Sequence, residues 1–391
     1  MVLRAIVFFF DYNGIMKQVE ETCMILPGIT LMKNNDDALS KTIIGIIDAL
    51  NQTHRIDREE CLFLLDNISL REMPYLMQKA RELTDSIYGK EVYFRGLIEI
   101  TNVCSQGCYY CGLQSNNTLV HRYRMSELEI LDTVEVGYQL GFRSFVWQGG
   151  EDAALSDAWL CALIRKFKSG YPDCVATLSI GERSKASYKA LYDAGLDRYL
   201  LRHEAASKPL YEKLHPEWMS YDRRMQCLKD LKEIGYWVGA GFLVNPPQQK
   251  NSDLVEDLMF VQEFQPHMCG IGPFIPHPDT KFGNEAAGSG NQSAVMVALV
   301  RLIVPEVLLP ATTALATVDP LGRAKGLNAG GNVVMPNLTP ANIRQFYEIY
   351  AQKKNWGDEA AENVRKATTD IINCGYSPSL SRGDHITYKE K

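Results

Sequence analysis

From residue 91 onward, short apolar and β-branched runs alternate with amphipathic segments of helical period, which restricts the chain to parallel β/α units. Eight strands are expected, at 92–100, 144–150, 175–181, 198–204, 238–245, 269–276, 308–314 and 332–336. Helices are expected after them at 126–140, 157–167, 185–194, 222–234, 252–264, 293–304, 322–329 and 341–350. Eight repeats over about 260 residues fit a closed (β/α)8 TIM-type barrel better than an open sheet. The short seventh helix leaves six- or seven-unit partial barrels as the alternative. In either form, the loops leaving the strand C-termini make the reactive face.

Around this barrel (91–352) the sequence sets an N-terminal helical layer (37–90), an uncertain N-terminal extension (1–36) and a C-terminal helix and tail (353–391). The tail helix is expected at 358–375, followed by a polar end that frays. Residues 244–253 and 277–293 read as long loops on the reactive face, the second long enough for a lid or binding loop. A net charge of −6 excludes a protein built around a phosphate backbone, so no nucleic-acid partner is expected. The apolar run 3–10 stops at Asp11, too short for a span, and no later run reaches membrane length. A secretory reading of that run lacks a cleavage site; an untidy start, with Met1, Met16 or Met32 as initiator, fits better. Of ten cysteines only one group has close spacing, so disulfides are not expected and the cytoplasm is the default compartment.

That group is Cys104, Cys108 and Cys111 in CSQGCYYC, just after the first expected strand and therefore on the reactive face. Three thiolates on one short loop suit iron through soft sulfur ligation, whereas a closed zinc or electron-transfer site takes four protein ligands. Cys227 and Cys269 stay open as a fourth ligand, although each sits inside an expected element, where cysteine is usually core. The other closure is exogenous. One iron of a 4Fe-4S cluster would be left for a small molecule with an amine and a carboxylate, as S-adenosylmethionine (SAM) is. A reduced cluster giving one electron to the bound sulfonium yields methionine and a 5′-deoxyadenosyl radical.

CxxxCxxC with Tyr110 before its last cysteine resembles the signature of the radical SAM superfamily. CGLQSNN (111–117), HRYRMSELEI (121–130), QGGED (148–152), LSIGER (178–183), AGLDRYLLRHEAA (194–206), GIGPFIPHPDT (270–280), PATTA (310–314) and NVVMPNLTP (332–340) together resemble the HydE-type maturases of [FeFe] hydrogenase. The resemblance implies one 4Fe-4S cluster on Cys104, Cys108 and Cys111, with SAM beside it. Gln148, Gly149, Gly150 and Glu151 would meet the methionyl amine; Gly149 stands where the family commonly has Ser, so a backbone contact must serve. Glu204 would take a ribose hydroxyl or the amine, Arg224 the methionyl carboxylate, and Tyr347 would lie near the cofactor. Thr177, Arg202, Met268, Thr312, Thr313 and Met335 would line a substrate cavity, with Arg202 and the threonines on an amino-acid carboxylate.

Taken singly, these residues read more blandly: Glu204 and Arg224 as surface charges, the glycines as a turn, Thr177 and the two methionines as barrel packing. An inward Arg202 in an apolar strand still demands an anionic partner. His203 and His277 are left out of catalysis, because radical chemistry needs no general base; Tyr109 and Tyr110 shield the cluster and the adenine. The family reaction would act on the sulfur of a small iron-cysteinate substrate, with an external one-electron donor. That substrate would come from a HydG-type tyrosine lyase and its product pass to a HydF-type scaffold GTPase. After Tyr350 only Cys374 remains, so a second C-terminal cluster is not expected. The competing readings are a methylornithine-synthase-like or biotin-synthase-like radical enzyme, and, in another class, a non-catalytic iron-sulfur protein. GIGPFIPHPDT and RYLLRHE favour the maturase.

Overall fold

The computed structural model describes residues 4–10, 16–22, 29–351 and 360–387, with side chains from residue 37. β1 (Arg4–Phe10) and β2 (Met16–Thr22) pair antiparallel, and Met1 lies outside the described residues. Three helices follow, α1 (Ile29–Thr53), α2 (Arg58–Asn67) and α3 (Met73–Tyr88). Asp57 caps α2 by accepting the Glu60 N–H at 2.9 Å, and Gly89 ends α3 in the left-handed region at φ 65°.

The β/α part runs β3 (Glu91–Phe94), β4 (Gly96–Thr101), α4 (Glu127–Gln139), β5 (Ser144–Gly149), α5 (Asp157–Gly170), β6 (Val175–Ser179), α6 (Lys185–Asp193), β7 (Arg198–Leu200), α7 (Lys208–Leu214), α8 (Tyr221–Ile234), β8 (Trp237–Val244), α9 (Asn251–Phe264) and β9 (Met268–Pro273). Then come α10 (Gly290–Ile303), α11 (Thr313–Val318), α12 (Gly322–Asn328), β10 (Val333–Val334), α13 (Ala341–Arg344), α14 (Ala360–Asn373) and β11 (Ser377–Ser379). β4 to β9 form one parallel sheet in sequence order. Side chains of the sheet and of α4, α5, α6 and α8 share one apolar core. α10 is buried on all sides between the sheet and α1, α2, α3 and α9, which is why its sequence is apolar all round.

Four expectations change. Arg95 splits the first strand: β3 leaves the main sheet and lies between β10 and β11, while β4 pairs with β5. The closed eight-stranded barrel is a partial one, with six strands in its sheet. The expected seventh strand is reduced to parallel bridges from Leu308 to Met268 and Pro310 to Val333, and the eighth to two residues of β10. Pro310 and Pro336 bring no N–H to a ladder, and the cap of α11 takes over at Thr312. Second, the last expected helix shrinks to the four residues of α13. Third, α7 and α11 are helices where none was expected. Fourth, the polar tail folds back: β11 pairs with β3, and Asp384 reaches buried Arg198 at 2.6 Å. Positions 352–359 and 388–391, which include the start of the expected tail helix and the end expected to fray, lie outside the described residues.

Candidate active site

Thr101 ends β4, and the chain then makes a long irregular loop whose shape is fixed by one arginine. Arg122 donates through Nη1 to the carbonyls of Asn102 (2.6 Å) and Leu113 (2.9 Å), and through Nη2 to those of Gln114 (2.8 Å) and Asn117 (3.0 Å). Asn102 Nδ2 adds bonds to the carbonyls of His121 and Phe346, both 2.7 Å. Cys104, Cys108 and Cys111 are carried on this stapled loop, each partly buried and unbonded to another cysteine. The Cys111 N–H meets the Cys108 carbonyl at 3.2 Å, and the Glu151 N–H points at Cys104 Sγ at 3.4 Å.

Desolvation is the largest influence on all three thiols. It pushes Cys104 up, Cys108 well up and Cys111 to about 12, with the neighbouring thiols adding to Cys108 and Cys111. A bound cation reverses this, because metal charge favours the thiolate. Among the described residues no three His, Cys, Asp or Glu side chains group to hold a single metal ion. A polynuclear cluster has a different need, one sulfur per iron, and three thiols on one short loop are the soft donor set it takes. Cys227 and Cys269, the alternative fourth ligands, are buried in two separate apolar clusters.

The end of β5 packs directly under this loop. A Cβ on Gly150 would lie 2.3 Å from the Val103 carbonyl oxygen and 2.6 Å from Cys104 Cβ, so only glycine lets the two segments touch. Gln148 donates through Nε2 to the hydroxyl of buried Tyr347 at 3.2 Å. Glu151 is braced rather than open: Oε1 accepts the Glu182 N–H at 2.9 Å and Oε2 accepts Gln106 Nε2 at 2.6 Å. Burial nevertheless leaves its carboxyl raised. Gly181, at φ 78°, permits that brace, since a Cβ there would fall 1.9 Å from Glu151 Cγ.

Arg224, buried, donates Nε to Glu182 Oε1 at 2.6 Å and Nη1 to the Arg202 carbonyl at 2.8 Å. Its Nη2 faces Glu151 Oε1 at 3.9 Å, beyond hydrogen-bond range. Burial works against its charge, but the carboxylates of Glu182 and Glu151 help to hold the guanidinium protonated. Glu204 follows β7 in the left-handed region at φ 65°, a conformation that non-glycine residues adopt at some cost. Its Oε2 is buried without a hydrogen bond, 3.4 Å from Arg202 Nη2.

Five of the six residues expected around a substrate come together. Arg202, Met268, Thr312, Thr313 and Met335 line a cavity of about 160 Å³ that Gln148 also enters. Arg202 donates Nη2 to the Phe242 carbonyl at 2.6 Å, and its Nε is a buried donor with no partner. Thr312 also caps α11, accepting the Leu315 N–H at 3.3 Å. Thr177 sits apart, in a smaller void deeper in the barrel beside Arg198 and Leu200, which shares Met268 with the main cavity. His203 is fully buried and paired with Asp257 at 3.2 Å, and burial drops its pKa to about 3. His277 packs on the cysteine loop, where a Cβ on Gly112 would strike its ring at 2.5 Å. Glu182, Arg122 and Gln106 were given no role by the sequence; only their places inside LSIGER, HRYRMSELEI and CSQGCYYC mark them.

Against known proteins, the model of the radical SAM superfamily matches residues 98–261. The chain is 43% identical over 278 residues to the [FeFe] hydrogenase maturase subunit HydE of Thermotoga maritima, covering 71% of this chain and 79% of that one. It is 27% identical over 275 residues to 3-methylornithine synthase of Methanosarcina acetivorans, covering 69% and 76%. Its fold is similar to the crystal structure of a methylornithine synthase (PylB), with a TM-score of 0.76, 22% identity, and coverage of 85% of this chain and 97% of that one. Among the described residues no helix is long and apolar enough to cross a membrane.

Proposed function

The chain belongs to the HydE family of radical SAM enzymes, and from that we propose that it acts in the cytoplasm in assembling the active-site cofactor of an [FeFe] hydrogenase. The observation that carries the reading is the meeting of three cysteine thiols, the β5 end and a buried cavity on one barrel mouth. Cys104, Cys108 and Cys111 would hold one 4Fe-4S cluster, which when reduced supplies the electron that cleaves SAM to methionine and a 5′-deoxyadenosyl radical.

The chain's own residues bind and orient. The backbone of Gln148, Gly149 and Gly150 takes the methionyl amine, with Glu151 braced behind it, and Arg224 offers Nη2 to the methionyl carboxylate. Glu204 and Tyr347 complete the cofactor site. Arg202, with its unpartnered Nε, and Thr312 and Thr313 receive the carboxylate of a small iron-cysteinate substrate. Met268 and Met335 give the cavity soft, apolar walls, and Thr177 lies beneath them. An external one-electron donor, a HydG-type supplier of substrate and a HydF-type acceptor of product are the partners this assigns.

The test is anaerobic reconstitution and reduction of the full chain. SAM is expected to perturb the cluster's EPR signal and to yield 5′-deoxyadenosine; a cluster indifferent to SAM would leave only an iron-sulfur binding protein. A cysteinate-iron carbonyl cyanide complex is then expected to be consumed. Failure to consume it, with methylornithine or biotin formed from the substrates of those synthases instead, would transfer the chain to one of those enzymes.

A further inference from the structure

Three tyrosines and a histidine form the wall between the cysteine loop and the start of α8. Tyr110, the residue before the last cysteine, donates its hydroxyl to His215 Nε2 at 3.1 Å. His215 Nδ1 in turn gives its proton to the Tyr211 carbonyl at 2.8 Å, and its ring stacks on Tyr211 with centroids 4.0 Å apart. Tyr221 meets Tyr211 edge-on at 5.7 Å and donates its own hydroxyl to the Ala206 carbonyl at 2.8 Å. Two of the three phenols are thus satisfied by protein. The third is not: Tyr211 is fully buried and its Oη has no hydrogen-bond partner.

A buried phenol without a partner is costly unless something outside the protein completes it. The surroundings of this one identify what that is. Its ring lies on His215, which bonds Tyr110 beside Cys111, and Tyr221, which it meets edge-on, opens α8, the helix that carries Arg224. Because Nη2 of Arg224 makes no hydrogen bond, a phenol O–H and a guanidinium N–H both remain to be filled there. Phenol and guanidinium together are a pair of donors for one anionic acceptor.

We propose that Tyr211 is a cofactor-binding residue whose hydroxyl donates to the carboxylate of the methionyl part of SAM, alongside Arg224. The assignment rests on the reading that the chain binds SAM. His215 and Tyr110 act through Tyr211 as positioning residues, locking its ring so that the hydroxyl is preorganised rather than free to turn.

The test is Tyr211→Phe in the full, cluster-loaded chain, which keeps the ring stacked on His215 and removes only the oxygen. Binding is measured by equilibrium dialysis with two probes, SAM and decarboxylated SAM, which keeps the sulfonium and adenosine but has no carboxylate. The Kd for SAM is expected to rise about tenfold, the lower end for one hydrogen bond to a charged group. The Kd for decarboxylated SAM is expected to be the same in parent and variant. Unchanged SAM affinity overturns the proposal, and so does an equal loss for both probes, because the hydroxyl would then contact something other than the carboxylate. Iron content and the EPR signal without SAM are expected to match the parent; loss of iron in Tyr211→Phe would place the hydroxyl in holding the cysteine loop and also refute it. If the parent itself binds no SAM, it is the function proposed above that fails, and the two failures are distinguishable.

Discussion

Glu182 is the residue on which the cofactor site leans most, and its removal makes a quantitative test. Its carboxylate bonds Arg224 Nε through Oε1 at 2.6 Å and Arg223 Nε through Oε2 at 3.0 Å, while its backbone N–H braces Glu151. The two bonds are not equivalent. The Arg223 side chain is 61% exposed, so that half contributes about 0–1 kcal/mol. The side chains of Arg224 and Glu182 are each only 8% exposed, and stripping one partner from a buried pair costs about 3–5 kcal/mol. Arg224 keeps the Arg202 carbonyl and has Glu151 at 3.9 Å, which offsets part of the loss, so Glu182→Ala is expected to cost about 2–4 kcal/mol. Glu182→Gln retains an acceptor for Nε but not the charge and is expected to cost about 1–2 kcal/mol. Urea unfolding of the metal-free chain reads both as a lower midpoint at constant slope. In the loaded enzyme, Glu182→Ala is also expected to weaken SAM binding more than Glu182→Gln does, because a loosened Arg224 no longer presents Nη2 in one direction. A loss below about 0.5 kcal/mol for Glu182→Ala, within the range of ordinary surface substitutions, would refute the idea that this carboxylate is what keeps Arg224 in place.

Cys108→Ala is expected to abolish iron incorporation while the metal-free chain melts nearly as before, since the thiol's contact with Met219 Sδ, at 3.8 Å, is weak and the sulfur fills little core volume; SAM cleavage by this variant would disprove the ligand assignment. Gly150→Ala would drive a methyl into main-chain and Cβ atoms of residues 103 and 104, costing about 1–3 kcal/mol and lowering iron uptake, whereas Gly170→Ala, with nothing within 4 Å of its Cβ in α5, is expected to be neutral or slightly stabilising. Denaturation of the two variants side by side checks this, and equal effects would contradict it. Asp152 supplies a pH test. Burial pushes its carboxyl up, but hydrogen bonds from Arg124, the Ala154 N–H and Thr101 outweigh burial and hold it below the usual carboxylate range. A depressed folded-state pKa stabilises above the unfolded value of about 3.9, and that stability is lost as pH falls through the folded value. The stability gap between parent and Asp152→Asn is therefore expected to be full at pH 7 and to close in acid below about pH 4; a gap that stays constant down to pH 3 would contradict the linkage.

The β/α alternation was readable because each strand-helix unit carries its own period, and the cysteine loop because its spacing is local. The failures were non-local. Nothing in VYFRGLIEI says that Arg95 will break the strand, since the cause is β10 and β11 arriving from more than 200 residues away to pair with β3. The seventh and eighth strands were over-read from β-branched composition, which does not register that a proline lacks the N–H a ladder needs. Single-residue roles divided in the same way. The positions of Gln148 on β5 and Arg202 just past β7 were legible from the strand ends that carry them, whereas that of Thr312 was not, because a helix cap replaces the expected strand there. The braced state of Glu151, by contrast, depends on Gln106, Gly181 and Glu182, three residues from two other loops. Arg122 was given no role of its own, yet it donates to four backbone carbonyls inside the loop it organises.

Those same irregular segments separate what is general in this site from what is particular. The cysteine loop, the β5 end, Glu182, Glu204, Tyr211 and Arg224 all lie between residues 98 and 261, the stretch shared across the superfamily. Met268, Thr312, Thr313 and Met335 lie beyond it, on β9 and on the two segments that fail to become regular strands. A regular strand presents alternate side chains to the barrel interior at a fixed register. Freed of that register, PATTA puts Thr312 and Thr313, consecutive residues, onto one cavity, and does so by starting a helix there. Apart from Arg202 and Thr177, which lie within that stretch, and Tyr347, which lies beyond it, the residues proposed for SAM and those proposed for substrate divide along the chain. Exchanging segment 308–314 for that of a methylornithine synthase is accordingly expected to abolish consumption of the iron complex while leaving SAM affinity within about threefold. A swap that weakened SAM binding as severely as Glu182→Ala would show that the two functions are not separable in this fold.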